Sequence, residues 1–205
     1  MLTPWGMKPI LVAYATREGH TQKVAERIAS CIERAGRRVA LVDAKTGHFP
    51  NCAGAILAAS VHMGEHDSVM VDYVRYHRAR LWELPNAFLS VSLHEAVQEN
   101  HQCSPVEQED AKTEVNRALK RFYEQTGWHP NEVHPVAGAL AYSTYGFLKR
   151  LVMQRMAKEK GLSDDASRDH DYTDWSDVEL FVDQFLTRIH SDSTEVQPRL
   201  AASVA

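Results

Sequence analysis

Three short stretches of this chain carry residue types that can hold an anion or move a proton. The first is ATREGHT, residues 15–21, which combines two threonine hydroxyls, Thr16 and Thr21, with Gly19 just after an apolar run. If a strand ends here and a helix begins, free backbone N–H groups and the positive end of the helix dipole meet at one place, which suits phosphate. Thr16 and Thr21 add donors, Gly19 lets the backbone approach closely, and Arg17, Glu18 and His20 complete the loop. The spacing is neither Gly-rich followed by Gly-Lys-Ser/Thr nor GxGxxG, which ranks nucleoside triphosphates and dinucleotides low. An ordinary capped turn gives the same residues without any ligand. The second stretch, Ser60-Val61-His62-Met63-Gly64-Glu65-His66, and the third, Ser92-Leu93-His94, follow apolar runs in the same way. Their histidines titrate near neutrality and could take protons from a substrate, although loop histidines are often only solvated.

The elements that must position these stretches alternate along the chain. Strands are expected over residues 9–14, 38–43, 53–60, 87–92 and 133–141. Helices are expected between them. Val24, Ile28, Cys31 and Ile32 share one face before Gly36; Met70, Tyr73, Val74, His77 and Leu81 share another, with Asp67 or Ser68 as N-cap. Ser104-Pro105-Val106-Glu107 starts a third helix that runs to Gly127, because serine caps, proline suits the first turn and glutamate reaches back. Residues 93–103 read as a polar loop, 144–160 as a helix, and Tyr172-Thr173-Asp174-Trp175 as the opening of a last helix. Past His190 the composition reads as a disordered tail, residues 191–205, leaving one domain over 8–190. Alternating strands and helices imply a parallel sheet with helices on both faces, with ligands gathered at the C-terminal strand ends.

Composition removes several classes. The chain has 205 residues, 44% of them hydrophobic, and a net charge of −4, so it can bury a core but lacks the basic field of a nucleic-acid binder. Cys31, Cys52 and Cys103 are an odd set without CxxC spacing, which suggests reduced thiols and no metal site. The opening MLTPWGMKP is too short and polar for a signal peptide, and no run is long enough to span a bilayer, so a cytoplasmic protein is expected.

The three loops, taken together, resemble the flavodoxin-like family, an α/β three-layer sandwich whose five-stranded parallel sheet has the order 2-1-3-4-5. The resemblance is nearest to its quinone-dependent protoporphyrinogen oxidase branch, through ATREGHT, AASVHMGEH, LPNAFLSVSL, the Trp128-His129-Pro130 region, VAGALAYSTYG and YTDW. It implies FMN as cofactor, with its phosphate at Thr16, Arg17, Glu18, Gly19, His20 and Thr21, although His20 stands where glutamine or asparagine is more usual. The flavin ring would lie among Ser60, Val61, His62, Met63, Gly64, Ser92 and Leu93. Of the loop histidines, whose titration range suits proton removal, His62 and His66 are the candidates for catalysis. It further implies a porphyrinogen or other small redox substrate and a quinone partner, in haem biosynthesis.

The second and third loops contain no tryptophan or tyrosine, which leaves one ring face open to a substrate unless Tyr142 or Tyr145 folds over it. That favours an enzyme; a quinone or small-molecule reductase, or an electron carrier docking through an acidic surface, uses the same fold. Greasy partners suggest peripheral contact with the inner face of the membrane. The segment 147–160 could supply it, with Phe147, Leu148, Leu151 and Val152 beside Lys149, Arg150, Arg155, Lys158 and Lys160, or could simply pack on the domain. A homo-oligomer is compatible with everything above. The loop after the fourth strand, HEAVQENHQCSP, is acidic to neutral where this branch can carry basic residues suited to propionates.

Overall fold

The apolar run after Pro9 forms β1 (Ile10–Ala15), all six residues of which are buried. Such a strand needs cover on both faces, and the chain supplies it. In this computed structural model, which describes residues 8–101, 103–144, 153–155, 157–159, 162–163 and 165–201, α1 (His20–Arg34), β2 (Val39–Asp43), β3 (Gly54–His62), β4 (Glu65–His66) and α2 (Ser68–Trp82) come next. They are followed by β5 (Asn86–Ser92), α3 (Leu93–Gln98), α4 (Pro105–Thr126), β6 (Glu132–Ala137), β7 (Ala139–Leu140), β8 (His170–Asp171) and α5 (Trp175–Ala201). Five strands pair in parallel in the order β2-β1-β3-β5-β6, which is the expected 2-1-3-4-5.

Alternation along the strands assigns each face. Ile10, Val12 and Tyr14 pack with Val24, Ile28 and Ile32 of α1 and with Val182 and Phe185 of α5. Leu11, Ala13 and Ala15 point the other way, onto Met70 and Val74 of α2 and Val115, Leu119 and Phe122 of α4. The helices therefore make two outer layers, and every β-to-α turn opens at one edge of the sheet. The expected start of α4 is built as a capping box, in which the Ser104 hydroxyl accepts from the Glu107 N–H and the Glu107 carboxylate accepts from the Ser104 N–H. Gly127 closes the helix in a left-handed conformation, φ 61°.

Three features depart from the sequence expectation, and a fourth expectation falls largely outside the described residues. Residues 93–98 are the helix α3 rather than loop, because the Ser92 hydroxyl accepts from the Glu95 N–H and caps it. The fifth strand breaks at Gly138, whose N–H donates to the Ser92 carbonyl at 2.8 Å and where a Cβ would lie 3.2 Å from the Ser92 carbonyl carbon. The backbone of α5 stays helical to Ala201, past His190. The helix expected over 144–160 lies largely outside the described residues, within which 153–155 and 157–159 are helical.

His66, one of the two expected catalytic histidines, is a core residue. It is 4% exposed, its Nε2 lies 2.9 Å from the Ser90 Oγ, and its ring sits against Phe88 and Phe122, which stack 4.3 Å apart. The cause is the turn before it. Met63 and Gly64 both have positive φ, 53° and 78°, and reverse the chain so that Val61 pairs with His66 and His62 with Glu65. Paired residues share a face, so His66 leaves the side that His62 occupies. Burial pushes its imidazole down to about 4.

Two outcomes follow from this packing. Phe122→Ala, which removes a fully buried ring from between His66, Phe88 and Trp128, should lower unfolding free energy in urea by about 3–5 kcal/mol. Because His66 is neutral when folded and ordinary when unfolded, its contribution is complete above the unfolded value near 6.5 and is lost as pH falls toward about 4. The urea midpoint of the wild type should fall more steeply across that window than that of His66→Gln. The comparison separates His66 from His20, His77 and His134, which burial shifts in the same direction. Equal slopes would contradict it.

Candidate functional site

The turn from β1 into α1 is the first wall of the site. Gly19 takes φ 86° at the N-cap, and its N–H donates to the Thr16 Oγ1 at 3.0 Å, so the tight turn of the plainer reading is present. What that reading lacks is the cap. No side chain caps α1, whereas Asp67, Ser92 and Ser104 cap α2, α3 and α4. The first helical bond runs from the Lys23 N–H to the Gly19 carbonyl, which leaves the N–H groups of His20, Thr21 and Gln22 without helical partners.

Two contacts tie this turn to the rest of the sheet edge. The Thr173 hydroxyl donates to the Ala137 carbonyl at 2.7 Å, so it must accept from the His20 Nε2–H at 2.8 Å. His20 is thereby held in one tautomer and anchors the start of α1 to the loop before α5. Burial lowers its pKa, opposed by Asp171, whose carboxylate is 3.8 Å away. On the other side, Asp67 accepts from the Val69 N–H at 3.0 Å and from the Arg17 Nε at 3.3 Å, which joins the turn to the β4–α2 junction.

Between these anchors lies a cavity of about 370 Å³, within the range of small-ligand sites. Thr16, Arg17, Glu18, His20 and Thr21 line it from the first loop; Ser60, Val61, His62, Met63 and Gly64 from the second; Ser92 and Leu93 from the third. Gly19 shapes the first wall without lining the space, and His66 lies outside it. Val91, Gly138, Ala139 and Met153, none of them expected as site residues, also line the cavity, as does His94, expected as a proton acceptor but not as a cofactor residue. Gly138 had a signal, since a glycine inside a strand pattern marks close backbone approach. His94 adjoined the expected ring site, while nothing local marked Met153.

The lining is mixed in the way a flat, partly polar ligand requires. His62 is half-buried, with Nε2 3.1 Å from the Ser60 Oγ. Met63 is 101% exposed at the hairpin tip, an unusual place for a large apolar side chain at positive φ. No tyrosine or tryptophan is among the described lining residues, and Tyr142 is buried with its hydroxyl donating to the Ser163 carbonyl at 3.3 Å. Tyr145 lies outside the described residues. Glu95, one turn into α3, is buried outside the lining, and burial together with Glu99 and Asp177 raises its carboxyl to about 7. No metal cluster occurs among the described residues, and no described helix is long and apolar enough to cross a membrane.

The residues present fit FMN: an uncapped helix N-terminus and two hydroxyls for a phosphate, and an apolar slot between the second and third loops for a flat ring. Comparison with known proteins agrees on the fold. A short-chain flavodoxin associated with a non-canonical PDU bacterial microcompartment superposes with a TM-score of 0.50 at 10% identity, over 89% of this chain and 99% of that one. A Leishmania major protein named protoporphyrinogen IX dehydrogenase (quinone) is 30% identical over 179 residues, 85% of this chain and 73% of its own. A protein of the same name from Escherichia coli strain K12 is 26% identical, over 83% of this chain and 91% of its own. The flavodoxin domain family matches residues 11–167, and with that match spanning the three loops, the five parallel strands and the helices α1 to α4, this chain belongs to the flavodoxin domain family.

Proposed function

We propose that this chain is an FMN-dependent oxidoreductase that converts protoporphyrinogen IX to protoporphyrin IX and passes the electrons to a quinone. The observation that carries it is the uncapped N-terminus of α1 opening onto a cavity whose described lining has no aromatic lid. The relatives named for this reaction, matched over more than four-fifths of this chain, give the substrate. Bound FMN supplies the electron-accepting group, since no side chain can take an electron pair from a porphyrinogen.

The remaining work falls to the protein. The N–H groups at the start of α1, with the hydroxyls of Thr16 and Thr21, hold the phosphate and fix the depth of the ring. Val61, Leu93 and Ala139 would exclude water from the ring's neighbourhood, while the described lining, which holds no tyrosine or tryptophan, leaves room for a second flat molecule. Each of the three two-electron oxidations removes a hydride and releases one proton, and His62 and His94, both on the cavity wall, are the bases that would accept it. His66 takes no part, because its ring is buried against Phe88 and Phe122. Three quinones are reduced for the six electrons removed. Both partners are lipid-soluble, so the cavity mouth works at a membrane surface, to which the exposed Lys158 contributes positive charge, Arg155 being paired with Glu159.

Two measurements test this reading. In the variant Thr16→Ala with Thr21→Ala, FMN affinity should fall by about 100-fold or more, the scale of two hydrogen bonds to a charged group, while riboflavin, which has no phosphate, binds nearly as before. FMN affinity within twofold of the wild type would remove the phosphate from this loop. Protoporphyrinogen IX added without oxygen should bleach the bound flavin as porphyrin fluorescence rises, and a soluble quinone should restore the colour. Flavin that stays yellow would overturn the substrate assignment.

A further inference from the structure

The β3–β4 hairpin carries more charge than its role as a cavity wall requires. Met63 stands at its tip, fully exposed. On the strand after the tip, Glu65 lies 3.7 Å from the NH1 of Arg121, which reaches across from α4. The same guanidinium nitrogen passes 3.6 Å from where a Cβ on Gly64 would stand, an ordinary contact distance that sets the arginine beside the hairpin turn. Two residues further on, Asp67 holds the Nε of Arg17. Arg17 and Arg121 are 57% and 45% exposed in their side chains, so each keeps donors in water beside the cavity mouth. Asp67 is committed to capping α2 as well as to Arg17, and its side chain is only 6% exposed. The 3.7 Å contact of Glu65 with Arg121 is long and solvated, a pairing that a better anion can replace.

We propose that Arg17 and Arg121 form a two-point carboxylate clamp at the lip of the cavity, with Met63 between them in sequence as the apolar contact, and that this clamp selects a flat substrate bearing two flexible carboxylates. This rests on the function proposed above and names the groups that recognise its substrate. A dianionic macrocycle would lay its apolar face on Met63 and the open ring face, and its two carboxylates would take donors from the two guanidinium groups. The clamp also supplies what the segment after β5 does not offer, since α3 and the residues that follow it, His94, Glu95, Glu99 and Asn100 among them, present no lysine or arginine. Arg17 thus serves the site twice, with its backbone in the phosphate turn and its guanidinium outside it.

The test uses the FMN-loaded protein with protoporphyrinogen IX and, in the same detergent, its dimethyl ester, which keeps the macrocycle and loses both charges. For Arg121→Gln, and separately for Arg17→Gln, kcat/KM for the diacid should fall about fivefold, the scale of one partly solvated ion pair, mostly through KM. Turnover of the ester by Arg121→Gln should be the same as in the wild type, with FMN affinity unchanged; for Arg17→Gln, whose side chain also ties down the phosphate turn, the loss on the diacid should exceed the loss on the ester. A wild type that oxidises the diacid, with both variants equal to it in KM, would overturn the clamp and leave the proposed function standing. A wild type inert toward both compounds would overturn the proposed function and the clamp with it.

Discussion

A parallel sheet buried on both faces leaves its ligand chemistry a single place, the edge where its strands give way to helices. The six buried residues of β1 impose this on the whole chain, because Ile10, Val12 and Tyr14 demand α1 and α5 while Leu11, Ala13 and Ala15 demand α2 and α4. With both faces closed, the three loops after β1, β3 and β5 meet at one edge without any contact made for that purpose. The parallel registers of β1 with β3 and of β3 with β5 then place Thr16, Ser60 and Ser92 at neighbouring strand ends. The cavity is a consequence of the packing, and its chemistry is decided by what each loop leaves unsatisfied.

At most helix starts this chain satisfies the backbone with its own side chains. Asp67, Ser92 and Ser104 do so, and α1 alone among the first four helices does not. Its spare donors are held in place from two directions, by His20 on Thr173 and by Arg17 on Asp67, so that the phosphate turn is stiff before a ligand arrives. The hairpin supplies the opposite kind of opening. Its positive-φ turn projects an apolar Met63 into water, and the residues that follow it, Glu65 and Asp67, pair with Arg121 and Arg17. One end of the cavity is thus built for an anion held deep, and the other for a flat molecule with charged arms held at the mouth.

Much of this was legible in the sequence because it rests on short-range signals. The five strands, the Ser104 capping box, Gly127 as a helix end and the convergence of three loops all follow from periodicity and turn chemistry. Twelve of the thirteen expected cofactor residues line one cavity, and Gly19, the thirteenth, sets the turn that shapes it. What failed was long-range or hidden by brevity. Six residues of α3 are too few for a helical period, though Ser92 followed three positions later by Glu95 carried a capping signature. His66 was misplaced because a loop reading assigns no face, and only the Met63-Gly64 reversal turns it away from His62 and into the aromatic cluster. Arg121 was invisible for a different reason, as nothing in its own helix indicates that it reaches Glu65 across the fold.

The most direct test of this account is a crystal structure of the protein grown with FMN. The account predicts the phosphate at the N-terminus of α1, within hydrogen-bond distance of the Thr16 and Thr21 hydroxyls, and the ring between the Ser60–Gly64 and Ser92–Leu93 loops with one face open beneath Met63. A phosphate bound anywhere else, or a ring covered on both faces by aromatic side chains, would contradict it.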